Sequence, residues 1–276
     1  MVSFKLAKDE TPLSLHANFI LPEAKRPHLS QESNAASIPI IDLNQDLSQV
    51  VQQVSEASEE YGFFQVINHG VPQELYHTKQ IKLFNYFLKI DGQEDKVAMW
   101  SKTFSHPWHS LDDIIIFCHK NPPQYREVVA EYAKEIGELM SRVLGLISQG
   151  LGLEKDCLKK RLEEEPIRRA QANFYPPCPE PEITLGLSVH TNVGALTIVL
   201  SNGRYKSVHH RAVTNKEHQQ ISFAAFYAPG KEAMIGLIED LIDEEHPPVH
   251  RSYTYGEFLQ EFYRQEGNKK DGEGGF

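Results

Sequence analysis

Apolar residues at helical spacing predict two amphipathic helices in the first half of the chain. One runs from Leu47 to Tyr61, where apolar side chains share a single face, and Gly62 ends the pattern. The other begins after Pro122, ends near Gly150, and carries the stripe Val129, Tyr132, Ile136, Leu139, Met140, Val143, Leu144 and Ile147. A stripe of this width normally faces a core, so we interpret both as buried faces and not as partner-binding surfaces.

Short runs rich in β-branched and aromatic residues predict strands, most of them in the second half of the chain. The runs are residues 38–43, 63–67, 170–175, 196–200 and 221–227. Further helices are predicted from near Pro72 to Phe87 and from Tyr253 to Arg264. We therefore expect a mixed α+β protein, with a helical N-terminal half packed on a β-rich C-terminal half.

The composition is that of an ordinary globular protein without an electrostatic footprint for nucleic acid or an anionic membrane. Its 276 residues are 40% hydrophobic and 24% charged, with a formal net charge of −10. The three cysteines form no CxxC pair, which fits a reducing compartment. Neither a signal-peptide pattern nor a membrane-spanning apolar run is found. We expect a cytoplasmic protein, most simply a monomer, with no nucleic-acid or membrane partner.

Two histidine positions and one asparagine have the spacing of metal ligands. His190 and Asn192 are two positions apart, so on a strand their side chains share a face. A histidine from a later strand, His209 or His210, would complete a three-point ligand set. Two histidines and one carboxylate form the facial triad of Fe(II) oxygen chemistry, but asparagine brings only a neutral carbonyl oxygen. Among 13 histidines such spacing also arises by chance, so ordinary surface or core histidines are the alternative interpretation.

Seven sequence blocks favour a metal site over ordinary histidines, because the blocks occur together and in a fixed order. They are IPIIDL (38–43), YGFFQVINHGVP (61–72), PPQYREVV (122–129), NFYPPCP (173–179), LGLSVHTN (185–192), SNGRYKSVHHRAV (201–213) and QISFAAFY (220–227). Together they resemble the plant 2-oxoglutarate/Fe(II)-dependent dioxygenases. Within that family the chain is most similar to the flavonoid-, alkaloid- and hormone-modifying branch, such as the hyoscyamine 6-hydroxylase-like group.

The resemblance implies an architecture for the chain. It is a double-stranded β-helix (jelly-roll) core flanked by helices. The implied regions are an N-terminal dioxygenase region at 38–100, a supporting helix at 122–153, the Fe(II)/2-oxoglutarate jelly-roll region at 166–231 and a C-terminal helix at 250–265.

The resemblance also implies residue roles and a reaction. The implied iron ligands are His190, Asn192 and His210, and the implied 2-oxoglutarate-binding residues are Tyr175, Gln220 and Ser222. The implied reaction oxidises 2-oxoglutarate to succinate and carbon dioxide at a non-haem iron, with ascorbate in support. That step is coupled to oxidation, by default hydroxylation, of a small specialised metabolite, which is the expected partner.

Two substitutions depart from the family pattern at the site itself. The family has aspartate at the position of Asn192, and removing that charge beside a dication costs on the order of 4 kcal/mol at intermediate dielectric. The family has arginine at the position of Gln220, and losing one partner of a buried charge pair costs about 2–5 kcal/mol. Arg204, Lys206 or Arg211 could stand in for the missing arginine only if its cationic group reached the same place, and lysine lacks the fork that binds a carboxylate through two bonds. Both substitutions predict impaired activity.

The third departure is length. Asn192 and His210 are closer in sequence than in the family, and Leu200 leads directly into Ser201 without the intervening strands. The core is therefore expected to lack strands between Leu200 and Ser201, which would leave unpaired edges. We keep three hypotheses: a 2-oxoglutarate-dependent oxidoreductase with reduced activity, an inactive relative that binds a small molecule or a protein, and an unstable truncated isoform.

Overall fold

Helices and strands occupy most of the part of the chain that the structure describes. The computed structural model describes residues 15–27, 38–72, 98–107, 125–162, 166–192, 200–248 and 250–268. The helices are α1 (Leu47–Glu60), α2 (Tyr125–Gly150), α3 (Cys157–Leu162) and α4 (Tyr255–Asn268). The strands are β1 (Ile40–Asp42), β2 (Gln65–Ile67), β3 (Lys102–Pro107), β4 (Ile167–Tyr175), β5 (Leu187–His190), β6 (His210–Ala212), β7 (Gln220–Ala228), β8 (Met234–Ile235) and β9 (Tyr253–Thr254).

Helices α1 and α2 form the main hydrophobic core together with α3 and β1. Helix α1 begins where the Asp46 carboxylate accepts a hydrogen bond from the Ser48 backbone N–H at 3.2 Å. Its buried face includes Val50 and Val54, which pack with Leu144 of α2 and with further residues of the same cluster. The predicted apolar stripes are therefore buried, and the helices form one layer of the fold.

A three-stranded antiparallel sheet, in the order β3-β4-β7, lies beside this layer. Strands β4 and β7 pair over their full lengths, from Ile167 opposite Ala228 to Tyr175 opposite Gln220. One face of the sheet packs on α2, where the Tyr132 and Phe223 rings meet edge to face with centroids 4.8 Å apart. The other face carries polar side chains and points away from α2.

The remaining strands form small pairs. Strand β5 pairs antiparallel with β6, β1 pairs parallel with β2, and β8 pairs with β9. The residues after Leu200 form a turn that contains Asn202 and Gly203 at positive φ. Leu200 and Tyr205 on either side of that turn are buried in the helical core. This anchored turn leads the chain towards β6.

The mixed α+β class is confirmed, and the predicted helices and strands that fall on described residues are found with shifted ends. The short elements α3, β8 and β9 were not among the predicted ones. The C-terminal helix begins at Tyr255, since Tyr253 and Thr254 belong to β9. Strand β3 was not predicted, because its sequence KTFSHP is polar and lacks a clear alternation. Most of the predicted helix from Pro72 to Phe87 and residues 196–199 of a predicted strand lie outside the described residues. No helix in the described ranges combines the length and apolar character needed to cross a membrane.

Candidate functional site

Two histidines face each other across the β5–β6 pair. His190 ends β5, His210 begins β6, and the two residues are direct partners in the antiparallel register. Their imidazole centroids are 4.2 Å apart, with the ring planes inclined by 52°. Both residues are partly buried. The structure thus brings together the two histidines that the sequence proposed as ligands, and it favours His210 over the exposed His209 as the cross-strand partner.

Backbone carbonyl groups orient both imidazoles. His190 Nδ1 lies 2.8 Å from the Ser188 carbonyl oxygen, and His210 Nδ1 lies 3.1 Å from the Val208 carbonyl oxygen. A carbonyl oxygen can only accept, so each bond places the proton on Nδ1 and leaves a lone pair on Nε2. A hydrogen bond from one ring nitrogen to a carbonyl oxygen is the usual way in which proteins orient the other ring nitrogen of a histidine towards a metal.

The Phe63 ring also lies close to the His210 ring, a contact that the sequence did not predict. The two ring centroids are 5.9 Å apart and the planes are inclined by 39°. Phe63 is 41% exposed, so part of its ring is open to solvent beside the histidine pair. Phe63 belongs to the YGFFQVINHGVP block of the family pattern. Nothing in that block indicates a contact with His210.

The end of α1 is held against the segment that precedes His210. The Lys206 backbone N–H donates to the Ser58 carbonyl oxygen at 3.0 Å, and the Lys206 ammonium donates to the Glu60 carbonyl oxygen at 2.9 Å. Gly62 adopts φ +64°, and a Cβ at this position would lie 2.5 Å from the Lys206 carbonyl oxygen. Only glycine fits both the backbone angle and this close approach. These contacts fix the distance between Phe63 and β6.

The proposed 2-oxoglutarate residues lie together at one end of the β4–β7 pair. Ser222 is opposite Asn173, whose side-chain amide donates to the Ser222 hydroxyl at 3.2 Å. Tyr175 is 7% exposed; burial raises the pKa of its phenol, and a hydrogen bond with Ser222 opposes part of that rise. The raised pKa keeps the phenol protonated at neutral pH, so Tyr175 can donate a hydrogen bond to a carboxylate.

Tyr175 also connects this cluster to the histidine strands. A Cβ at Gly186, the residue before β5, would lie 2.5 Å from Cδ1 of the Tyr175 ring. The Gly186 backbone N–H donates to the Ala212 carbonyl oxygen of β6 at 2.8 Å. The Tyr175 ring therefore rests directly on the β5–β6 backbone, and the two halves of the candidate site are in contact.

Gln220 occupies the edge of the cluster and is exposed. It faces Tyr175 in the β4–β7 register, so it stands beside the expected co-substrate position. Two of the three nearby cations are directed elsewhere: Arg204 donates to the Leu241 carbonyl oxygen at 3.2 Å, and Lys206 to Glu60. Arg211 follows His210 on β6, so its side chain points to the opposite face. The structure shows no stand-in for the arginine among these three residues.

The residues present fit an iron site of reduced charge. The two oriented imidazoles could supply neutral nitrogen ligands. Asn192 was expected on the strand face of His190, but β5 ends at His190, and the exposed Asn192 lies two residues beyond that end, where it offers an amide oxygen. Within the described ranges, no group of three histidine, cysteine, aspartate or glutamate side chains is placed to hold a metal. The histidine pair is therefore the part of the candidate site that the structure brings together, and Asn192 would add only an uncharged oxygen.

Comparison with known proteins identifies the family. Residues 38–110 match the family model of the non-haem dioxygenase in morphine synthesis N-terminal region. Protein DOWNY MILDEW RESISTANCE 6 of Arabidopsis thaliana is 33% identical over 313 residues, covering 91% of this chain and 92% of that protein. Flavanone 3-dioxygenase 2 of Oryza sativa subsp. japonica is 30% identical and covers 91% of this chain and 90% of its own length.

A solved structure agrees with the sequence relatives. The crystal structure of JOX2 in complex with 2OG, Fe and JA has a TM-score of 0.79 at 26% identity, covering 92% of this chain and 91% of JOX2. This chain belongs to the plant 2-oxoglutarate/Fe(II)-dependent dioxygenase family. Its function by lineage is 2-oxoglutarate-dependent oxidation of a small metabolite, and Fe(II) and 2-oxoglutarate are the cofactor and co-substrate of the family.

The comparison also confirms that the chain is a shortened copy. The alignment with the Arabidopsis relative spans 313 residues, whereas this chain has 276. Because the alignment is longer than the chain, that relative contains internal residues that have no counterpart here. The shortening is therefore internal, in agreement with the abrupt passage from one motif to the next in the sequence.

Proposed function

We propose that this chain holds Fe(II) through Nε2 of His190 and His210, with the Asn192 amide oxygen as a weak third ligand. In the same proposal, Tyr175 and Ser222 bind 2-oxoglutarate, and Gln220 contributes one neutral hydrogen bond. The protein then oxidises a small specialised metabolite with reduced efficiency. The observation that carries the proposal is the cross-strand histidine pair, whose imidazoles are 4.2 Å apart and oriented by backbone carbonyls.

Each residue has a distinct task in this reaction. The histidines keep their protons on Nδ1, so Nε2 remains available as a ligand. The protonated phenol of Tyr175 and the Ser222 hydroxyl donate to a carboxylate of the co-substrate. Phe63 covers one side of the His210 ring and limits its rotation. When bound, iron and 2-oxoglutarate supply the oxidising chemistry, with succinate and carbon dioxide as co-products.

The reduced efficiency follows from two missing charges. Replacing a carboxylate by the Asn192 amide removes attraction to the metal, on the order of 4 kcal/mol at intermediate dielectric. Gln220 cannot form the bidentate pair that arginine forms with a carboxylate. Since Gln220 is exposed, solvent screens part of this loss, and the penalty lies towards the lower end of about 2–5 kcal/mol.

We also propose that the fold is an incomplete jelly roll. The β3-β4-β7 sheet and the β5–β6 pair would be the retained parts of a jelly roll that lacks strands between Leu200 and Ser201. The functional regions would be residues 38–100, 122–153, 166–231 and 250–265. Support comes from the internal shortening, the separate small sheets and the fold similarity to an enzyme of this family.

The last parts of the proposal are the cellular compartment and the oligomeric state of the protein. We place the protein in the cytoplasm as a monomer, without nucleic-acid or membrane partners. Cys157 and Cys178 are free thiols, which is the state that a reducing compartment maintains. Light scattering coupled to gel filtration would test the assembly: a mass near 31.5 kDa supports a monomer, and a doubled mass contradicts it.

Succinate formation is the experiment that tests the proposed reaction. The purified full chain would be supplied with Fe(II), ascorbate, oxygen and 2-oxoglutarate, with and without a panel of phenolic and alkaloid compounds. The expected result is slow iron-dependent succinate formation, which His210→Ala abolishes. His218→Ala is the matched control, because the His218 side chain is 80% exposed and lies outside the site. Succinate formation that is equal in the parent chain and in His210→Ala would refute the reaction.

An inactive binding protein is the second candidate function. The neutral Asn192 and the exposed Gln220 favour it, because both remove charge that turnover requires. In that case a small molecule would raise the melting temperature of the protein without any succinate being formed. The absence of a cooperative melt would instead indicate the unstable isoform.

A further inference from the structure

The polar face of the β3-β4-β7 sheet continues beyond the proposed co-substrate cluster. Alternation along β4 places Arg169, Gln171, Asn173 and Tyr175 on this face. Gln171 donates to the Asn173 side-chain oxygen at 2.9 Å, which links the next row of the sheet to the cluster. Arg169 lies about 13 Å from Asn173 along the strand at 3.3 Å per residue. This distance suits a small metabolite that extends away from the cluster.

Arg169 is an exposed cation with an oriented guanidinium. Its Nε donates to the Ser105 hydroxyl of β3 at 2.6 Å, which fixes the plane of the group. Its two Nη groups form no hydrogen bond or ion pair with any residue in the described ranges. An arginine held in this way is preorganised for the paired oxygens of a carboxylate.

An aromatic ring lies on the strand next to Arg169, on the side away from Ser105. Phe226 of β7 is the direct partner of Arg169 in the register, so both side chains project from the same face. Phe226 is 39% exposed, which is unusual for a large apolar side chain on a strand that is otherwise mostly covered. The guanidinium, held towards β3, and the Phe226 ring on β7 are complementary to the two ends of a small aromatic carboxylic acid that lies across β4.

We infer that Arg169 and Phe226 form a substrate subsite that takes a small aromatic carboxylate, with its carboxylate on Arg169 and its ring on Phe226. As a substrate subsite it rests on the proposed function, but its binding chemistry requires neither metal nor 2-oxoglutarate. The chain as a whole carries a formal charge of −10, which repels anions in general. Binding of an organic anion therefore requires a specific local site.

Calorimetry with a matched pair of probes tests the subsite. The full chain, without metal or 2-oxoglutarate, would be titrated with trans-cinnamate and with its neutral amide, cinnamamide. Cinnamate is expected to bind more tightly than cinnamamide. Arg169→Gln should weaken cinnamate about tenfold and leave cinnamamide unchanged, because it removes only the charge-assisted bonds. Phe226→Ala should weaken both probes.

The control is Arg161→Gln, which makes the same charge change at an exposed residue of α3, away from the sheet. It should leave both affinities unchanged, and circular dichroism melts should show that all variants are folded. Equal binding of the acid and the amide, no cinnamate binding by the folded chain, or equal weakening by Arg161→Gln would each overturn the inference. Displacement of cinnamate by 2-oxoglutarate would assign Arg169 to the co-substrate and also overturn it. Because this titration contains no metal, its outcome does not depend on whether the iron-dependent reaction occurs.

Discussion

His190 and His210 are direct cross-strand partners, with their imidazole centroids 4.2 Å apart and each Nδ1 bonded to the carbonyl oxygen of the residue two positions before it in the chain. This relationship is local to the β5–β6 pair. It persists although the chain is shorter than its relatives, because the ladder itself sets the distance between the two rings. The metal-binding half of the site can therefore survive the loss of other parts of the fold.

The glycine after α1 is predicted to be essential for the position of His210. Gly62→Ala would place a methyl group 2.5 Å from the Lys206 carbonyl oxygen, in a backbone conformation at φ +64° that alanine disfavours. We expect a loss of about 2–4 kcal/mol in the free energy of unfolding, measured with urea. Iron affinity should fall as well, since Lys206 leads into β6.

Gly152→Ala separates these two causes. Gly152 has φ +77°, yet a Cβ there would meet nothing within 4 Å. We expect only the backbone cost, about 1–2 kcal/mol, and an unchanged iron affinity. If Gly62→Ala and Gly152→Ala cost the same, the contact between the end of α1 and Lys206 is not what positions β6.

Gly186 is predicted to control the co-substrate residue Tyr175. In Gly186→Ala the new methyl group would lie 2.5 Å from the Tyr175 ring, so the ring must move away from β5. We expect weaker 2-oxoglutarate binding and a loss of about 1–3 kcal/mol in stability. Calorimetric titration with 2-oxoglutarate in the presence of Fe(II) measures the first effect.

Gly137→Ala is the matched control for that experiment. Gly137 lies inside α2, and a Cβ there would meet nothing within 4 Å. Alanine is favoured over glycine in a helix, so stability should rise by about 0.5–1 kcal/mol with 2-oxoglutarate binding unchanged. Unchanged 2-oxoglutarate binding in Gly186→Ala would contradict the role given to Tyr175.

Stability is predicted to fall at alkaline pH. Burial raises the pKa of the Tyr205 phenol, and its hydrogen bond with Ser55 opposes part of the rise. A phenol whose folded-state pKa is raised contributes to the free energy of unfolding, and this contribution is complete below the unfolded-state pKa of about 10. The contribution is lost as the pH rises through the folded-state pKa. Urea titrations from pH 8 to 11 should therefore show falling stability above about pH 10.

Tyr205→Phe isolates this contribution. The variant cannot ionise at this position, so its stability should fall less steeply above pH 10 than that of the parent chain. At pH 8 it should be less stable by about 1 kcal/mol, because the hydrogen bond to Ser55 is lost. Identical slopes in the two proteins would show that Tyr205 does not contribute to the alkaline transition.

The helices and the longer strands could be predicted from sequence because each depends on a local pattern. Helix α2 was visible from a stripe of apolar residues, and the strand at residues 170–175 from its aromatic pair Phe174 and Tyr175, although β4 begins earlier, at Ile167. Strand β3 was missed because it depends on pairing with β4 and not on its own composition. Pairing between distant segments leaves little trace in a short polar run.

The site was predicted only as far as the family motifs extend. These motifs pointed to His190 and His210, and the structure places the two side chains together. The contacts of Gly62 with Lys206 and of Phe63 with His210 could not be predicted, because they join segments far apart in sequence. The ligand roles of His190, His210 and Asn192 stay predictions, and so do the co-substrate roles of Tyr175, Gln220 and Ser222.

An anaerobic absorbance titration with Fe(II) and 2-oxoglutarate tests the central claim most directly, because it needs no substrate. The parent chain, Asn192→Asp with Gln220→Arg, and His210→Ala would be compared, using the charge-transfer band that the iron chelate of 2-oxoglutarate gives in this family. We expect a weak, saturable band in the parent chain, tighter binding in the double variant by one or more orders of magnitude, and no band in His210→Ala. No band in either the parent chain or the double variant, with both proteins folded, would contradict the claim.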